Sequence, residues 1–246
     1  MPRGPQPQDG RLFGESMHAA LRRAVADLSW LSSRGYVLNS SLKLVGDRHD
    51  LVGRQRLAVQ RAACSDDELA GRRARRTTVD QVRGQRVAID GFNLIIIVES
   101  ALAGGVLIRG RDGALRDLAS VHGTYRRAEH THAAIAAVAE ALDDAGLSEV
   151  HWYLDQPVSN SGRLAQWLRE VAKQAGRRWE VELVRDPDRV LVHGDRTVIS
   201  SDGWVISRAQ RWLDFATRVF EKARIEPWIV DLGDESHHFG AALPQD

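Results

Sequence analysis

Beyond Arg86 the chain alternates short β-branched and aromatic runs with segments of helical period. The strand candidates are RVAID, EVHWYLD, WEVELV, RTVISS and PWIVDL, each bounded by turn residues. Between them lie the helix candidates NLIIIVESALA, THAAIAAVAEALDDAG, SGRLAQWLREVAKQAG, a short PDRVLVHG and SRAQRWLDFATRVFEKA. The second and third end at Gly146 and Gly176, where helix C-caps place glycine. Parallel neighbours need crossover connections, so this alternation predicts an α/β fold, a parallel Rossmann-like sheet flanked by helices. In such a sheet the C-terminal strand ends gather along one rim. Asp90 ends the first run, Asp155 ends the second and Asp202 follows the fourth, so three acids far apart in sequence are predicted to converge there.

The first third of the chain has a different grain. Residues 1–12, rich in Pro, Gly and Gln, read as a disordered tail. Met17, Leu21, Val25, Leu28 and Leu31 recur at helical spacing and predict an amphipathic helix that stops near Gly35. DLVGRQRLAVQRAAC reads as a second helix, and SDDEL caps a third that runs toward GRRARR. These features define an all-helical domain over residues 13–78, an α/β domain over 86–234 and a polar tail over 235–246 that contains His237 and His238.

Charge separates the two parts. Residues 1–86 carry 16 Lys/Arg against 9 Asp/Glu, and the remainder 18 against 24. A basic arm joined to an acidic domain suggests a phosphate-rich partner near a metal-binding surface, with a solvated helical face as the competing reading. Arg54, Arg56, Arg61 and His49, near Trp30 and Tyr36, mix phosphate-binding cations with rings on which bases stack. Trp30 is expected mainly as a core residue between the first two helices, and the arginines of RRARR as a basic linker. The single cysteine, Cys64, excludes an internal disulfide and a thiolate cage, and beside SDDE it reads as a packing residue. No apolar run is long enough to span a bilayer, and MPRGPQPQDGR lacks the apolar core of a signal peptide, so a soluble cytoplasmic protein is expected.

The strand-end acids come with useful neighbours. Asp90 is followed by Gly91 and Asn93 at a helix start, where an ionised acid is favoured. Asp155 precedes QPVSNSGRL, whose Ser159, Ser161 and Arg163 are candidates to cradle a phosphate. Asp188 lies in RDPDRVL, and Asp202 follows Ser201 at another strand-to-helix turn. Taken singly, each acid also reads as an N-cap or turn residue. Together they would repel one another unless a cation compensated, which favours a metal site. Carboxylate ligands without cysteine or an obvious His pair point to Mg²⁺ or Mn²⁺ rather than Zn²⁺. His130 and His132, two residues apart, fall on different helix faces and read as surface residues.

VAIDGFNLI, WYLD, DPDRVL and TVISSDGWVI together resemble the PIN/NYN-like nuclease superfamily. That resemblance implies that Asp90, Asp188 and Asp202 are metal-binding acids, and that Asp155 matches the acid after the second strand in the NYN branch. The whole chain is also similar to a family that pairs domains of unknown function 434 and 5616. LSSRGYVLNSSLKLVGDRHDLVGRQRLAVQR carries the first and IDGFNLIIIVESALAGG with WYLDQPVSNSGRL the second. The function the nuclease resemblance implies is a metal-dependent nuclease, RNA being favoured over DNA, while the second resemblance implies no activity. Asp90 and Asp202 would bind one ion, Asp155 and Asp188 would bind another or orient water, and Asn93 and Ser201 would contact phosphate or metal-bound water. The alternative is a non-catalytic nucleic-acid- or protein-binding module on the same scaffold. Neither GxGxxG nor GxxxxGK[ST] occurs. Phe92 occupies the position where an aspartate-nucleophile phosphatase would need its second Asp, and a Toprim-like site would normally begin from Glu rather than Asp90. IIIVESALAGGVLIRGRDG is longer than the nuclease pattern. Around Gly104 and Gly105 it fits a lid or a homodimer contact equally, and Glu99 within it is either a further acid or a solvent-facing residue.

Overall fold

In the computed structural model, which describes residues 4–119 and 129–233, the chain opens with five helices. These are α1 (Asp9–Leu12), α2 (Glu15–Ser33), α3 (Leu38–Arg48), α4 (Gly53–Ala62) and α5 (Asp66–Arg75). Ser65 caps α5 through a reciprocal box with Glu68, as the SDDEL pattern predicts. Residues 9–12, expected in a disordered tail, instead form α1. Asp9 is fully buried, Leu12 is buried and Phe13 packs behind them. The expected tail 235–246, with His237 and His238, lies outside the described residues.

The α/β part follows as β1 (Arg86–Asp90), α6 (Gly91–Leu102), β2 (Val106–Arg109), β3 (Leu115–Asp117), α7 (Glu129–Ala145), β4 (Glu149–Asp155) and α8 (Ser161–Gln174). It continues with β5 (Trp179–Val184), α9 (Pro187–His193), β6 (Thr197–Ile199), α10 (Gly203–Ile206), β7 (Trp212–Leu213), α11 (Ala216–Ala223) and β8 (Trp228–Asp231). The main sheet is all parallel in the order β5-β4-β1-β6-β7. Successive side chains alternate faces as strand geometry requires. Val87, Ile89, Val150, Trp152 and Leu154 enter the large core beneath α6, α7, α8 and α11, while Ala88, Tyr153 and Val198 pack on the other face with Leu191 and Val205 of α9 and α10. The expected parallel sheet flanked by helices is therefore present, with a helical region before it.

Four strands differ from expectation: β2 and β3 match none of the predicted runs, and β7 and β8 are placed differently. PWIVDL was read as the last strand of the main sheet, but β8 pairs in parallel with β2 in a separate sheet ordered β3-β2-β8. The fifth place in the main sheet is taken by β7, two residues inside a stretch whose spacing reads as helix. The segment around Gly104 and Gly105 links α6 to β2 of this second sheet. The helical region shares a core with this small sheet: Leu21, Val25, Leu28, Ala58 and Val59 pack with Val106, Ile108, Val230 and Leu232. The two predicted domains are joined by common apolar packing.

Candidate metal centre

Asp90 lies at a topological switch point. β1 is flanked by β4 on one side and β6 on the other, which opens a crevice beyond the C-terminal strand ends. Asp90 is opposite Tyr153, so Asp155 extends two residues further along the same rim, and Ser200, Ser201 and Asp202 follow directly from β6. One hydroxyl links Asp90 to the Asp202 backbone: Ser200 Oγ donates to Asp90 Oδ2 at 2.9 Å and accepts the Asp202 N–H at 3.1 Å. Asp90 also caps α6 by accepting the Asn93 N–H at 3.3 Å. Asp202 caps α10 by accepting the N–H groups of Trp204 at 2.8 Å and Val205 at 3.1 Å. Gly91 is required by close approach, because a Cβ there would lie 2.5 Å from Leu154 Cδ2 and 3.1 Å from the Tyr153 carbonyl.

Electrostatics links the four acids. Burial is the main influence on Asp90 and pushes its carboxyl up to about 7; repulsion from Asp188 and Asp202 adds to this, while the Ser200 and Asn93 hydrogen bonds oppose it. Asp188 is pushed up to about 6, again mainly by desolvation, with repulsion from Asp202, Asp186 and Asp155. No Lys or Arg is among the main influences on either carboxyl. Asp90, Asp155, Asp188 and Asp202 therefore form one electrostatic cluster, and the donors it offers are hard carboxylate oxygens.

Two family models match the chain, a domain of unknown function (DUF5616) over residues 79–218 and a protein of unknown function (DUF434) over residues 20–75. The chain belongs to the DUF5616 family. An uncharacterized protein of Methanocaldococcus jannaschii, MJ0935, is 30% identical over 187 residues, covering 76% of this chain and 89% of that protein. No solved structure matches. The DUF5616 span includes all four acids and the whole main sheet, while the DUF434 span covers α3, α4 and α5 and most of α2.

Other predicted site residues have different surroundings. Asn93 Oδ1 accepts from both the N–H (2.9 Å) and the Oγ–H (3.1 Å) of Ser201, so these two brace the β6 turn. Ser161 Oγ donates to the Gln156 carbonyl at 3.1 Å and closes its own turn, while Ser159 and Arg163 are exposed. The three arginines expected to hold phosphate are bonded within the chain. Arg54 forks onto buried Asp9 at 2.6 and 2.9 Å, and Arg56 contacts Asp47 and the Leu51 carbonyl. Arg61 bonds Asp117 and the Ala119 carbonyl, so all three pin elements together. Trp30, expected in the core, is 53% exposed with the Arg34 guanidinium stacked 3.7 Å from its ring centroid. His49 bonds Asp27. Among the described residues no helix is long and apolar enough to cross a membrane.

Sequence reasoning missed three features. Glu99 is buried and accepts a hydrogen bond from Thr131 Oγ1, which makes it an internal brace between α6 and α7. Asp214, one residue beyond β7, has its carboxyl raised by burial against the opposing pull of Arg76 and Arg109. The two-residue strand before it left no periodic signal. Glu149, His151 and Glu180 place three ligand atoms within 4.8 Å of one another. They lie at the opposite end of the strands from the four acids. Arg196 Nη1 donates to His151 Nδ1 at 2.9 Å, which puts the ring proton on Nε2, facing Glu180. In that neutral tautomer His151 is a hydrogen-bonded link beside the Arg196–Glu149 ion pair, with no lone pair on Nε2 for a metal.

Proposed function

We propose that the DUF5616 body is a metal-dependent nuclease that hydrolyses phosphodiester bonds, RNA before DNA. The observation that carries this reading is the gathering of acids at the switch point of a parallel sheet, where Asp188 and Asp202 add to the raising of the Asp90 carboxyl and Asp202 to that of Asp188. Acids held together against their own repulsion, with no cation among their main influences, suit an exogenous divalent ion. The resemblance of VAIDGFNLI, WYLD, DPDRVL and TVISSDGWVI to PIN/NYN-like nucleases supports the same chemistry.

Asp90 and Asp202, fixed relative to each other by Ser200, would hold Mg²⁺ or Mn²⁺, with Asp155 and Asp188 completing the site. The bound ion would polarise a phosphoryl oxygen and lower the pKa of a nearby water. Asp188, half-buried beside this set, would help complete the site or orient that water. Nucleic-acid contact moves from the helical arm to the rim. Arg163 is exposed on the first turn of α8, and Trp204, two residues after Asp202, is 41% exposed with Arg208 stacked 4.4 Å from its ring centroid. Such a pair provides a cation and a π-face for an unpaired base.

Incubating a mixed pool of RNA and single-stranded DNA with Mn²⁺ tests the proposal. Cleavage is expected to stop with EDTA and in Asp90→Asn. EDTA-resistant cleavage would reject the mechanism, and intact substrate in every metal would favour a non-catalytic binding module.

A further inference from the structure

A buried charge network joins the helical region to the turn that carries Asp202. Arg72 of α5 is 5% exposed, yet all three guanidinium nitrogens are bonded. Nη1 donates to Asp112 Oδ2 at 2.6 Å, Nε to Ser207 Oγ at 2.8 Å, and Nη2 to the Gly203 carbonyl and Glu68, both at 3.1 Å. Asp112, with a fully buried side chain, also accepts from Arg116 at 2.9 and 2.6 Å. Arg116 Nε then donates to the Ser201 carbonyl at 2.8 Å. The main-chain carbonyls on either side of Asp202 are thus held by two guanidiniums that share one carboxylate, one from the body and the other from the helical region. Arg75 adds a bond to the Ser207 carbonyl at 2.6 Å, and Trp212 Nε1 donates to the Arg72 carbonyl at 2.7 Å.

The two arginines share the buried Asp112, and Arg72 also pairs with the more exposed Glu68, the compensation that buried charge requires. Asp202 is among the carboxylates whose field stabilises the charged form of Arg116, alongside Asp112. The network therefore faces the acid it supports. Gly203 allows the close approach: a Cβ there would lie 3.2 Å from Arg72 Nη2. Simple packing of α5 against the body would not need forked donors on the carbonyls flanking one acid.

We infer that Arg72 is a positioning residue through which the DUF434 region sets the geometry of Asp202. Its functional consequence rests on the metal-site reading above; the positioning itself does not. Buttresses behind metal ligands typically change metal affinity about 10–100-fold when removed.

Amide hydrogen exchange on the full chain, read at Trp204 and Val205, tests this, because both N–H groups donate to the Asp202 carboxylate. Arg72→Met is expected to speed exchange there by about tenfold or more while β1 amides keep their rates. Arg22→Met, which removes a different bond between α2 and the Asp231 carbonyl, is expected to leave the turn unchanged. If Arg72→Met does not fold, Arg72→Lys keeps the charge, loses the fork and is expected to loosen the same turn. Unchanged rates at Trp204 and Val205, or an equal rise throughout β1 and β4, would overturn the inference. In parallel, Mn²⁺ affinity should fall about 10–100-fold in the variant. A loosened turn in a protein whose wild type binds no Mn²⁺ would leave the positioning role standing and reject the metal reading.

Discussion

Asp90 retains its proton up to about pH 7 in the folded protein, whereas an unfolded chain releases it near 3.8. Between those values the native state binds more protons, so this group's contribution to stability falls as pH rises through the window and stays low above it. Asp90→Asn mimics the protonated acid. It should match wild type in acid and, without metal, be more stable by about 1–3 kcal/mol above neutrality. Urea unfolding on both sides of the window checks this, and a variant destabilised at alkaline pH would count against it. Cys64 gives a second residue-scale test. Burial, then repulsion from Asp112, pushes its thiol up to about 11. A thiol reagent should react slowly with the native protein at mildly alkaline pH and rapidly in urea, and fast native labelling would contradict the buried assignment. Asp90 and Asp202 were legible in the sequence because each lies at a strand-to-helix turn, Asp90 ending β1 and Asp202 following β6, and each caps a helix. The arginines were not, since Arg54 and Arg61 meet Asp9 and Asp117 only 45 and 56 positions away.

Helices and strands follow the same division between local and distant causes. β1, β4, β5, β6 and β8 were visible as β-branched or aromatic runs, and α5 through its Ser65–Glu68 box. β7 was hidden because Trp212 and Leu213 sit within a helix-like stretch, and only pairing with β6 selects the extended form. β8 was visible as a strand but not as a partner of β2, because pairing depends on contacts remote in sequence. The junction between β1 and α6 makes a prediction at this scale. Gly91→Ala would push Leu154 and the Tyr153 carbonyl, so a loss of about 1–3 kcal/mol is expected by denaturant unfolding. Wild-type stability in that variant would show that the turn can yield.

For the whole molecule, the boundary near residue 78 was legible as a change in pattern but misleading as a line of independence. Val106, Ile108, Val230 and Leu232 meet the helices across it, and Arg72 reaches Asp112 and Gly203. A fragment of residues 79–246 is therefore expected to lose cooperative unfolding and bind a hydrophobic dye, whereas a sharp native-like transition would contradict the shared core. The chemistry depends on a more local convergence. Its most direct test is calorimetric titration of Mn²⁺ into the full chain near neutral pH, in buffers of different ionisation enthalpy. The account predicts one saturable site that releases protons on binding and is lost in both Asp90→Asn and Asp202→Asn. No binding by wild type, or binding undiminished in those variants, would contradict it.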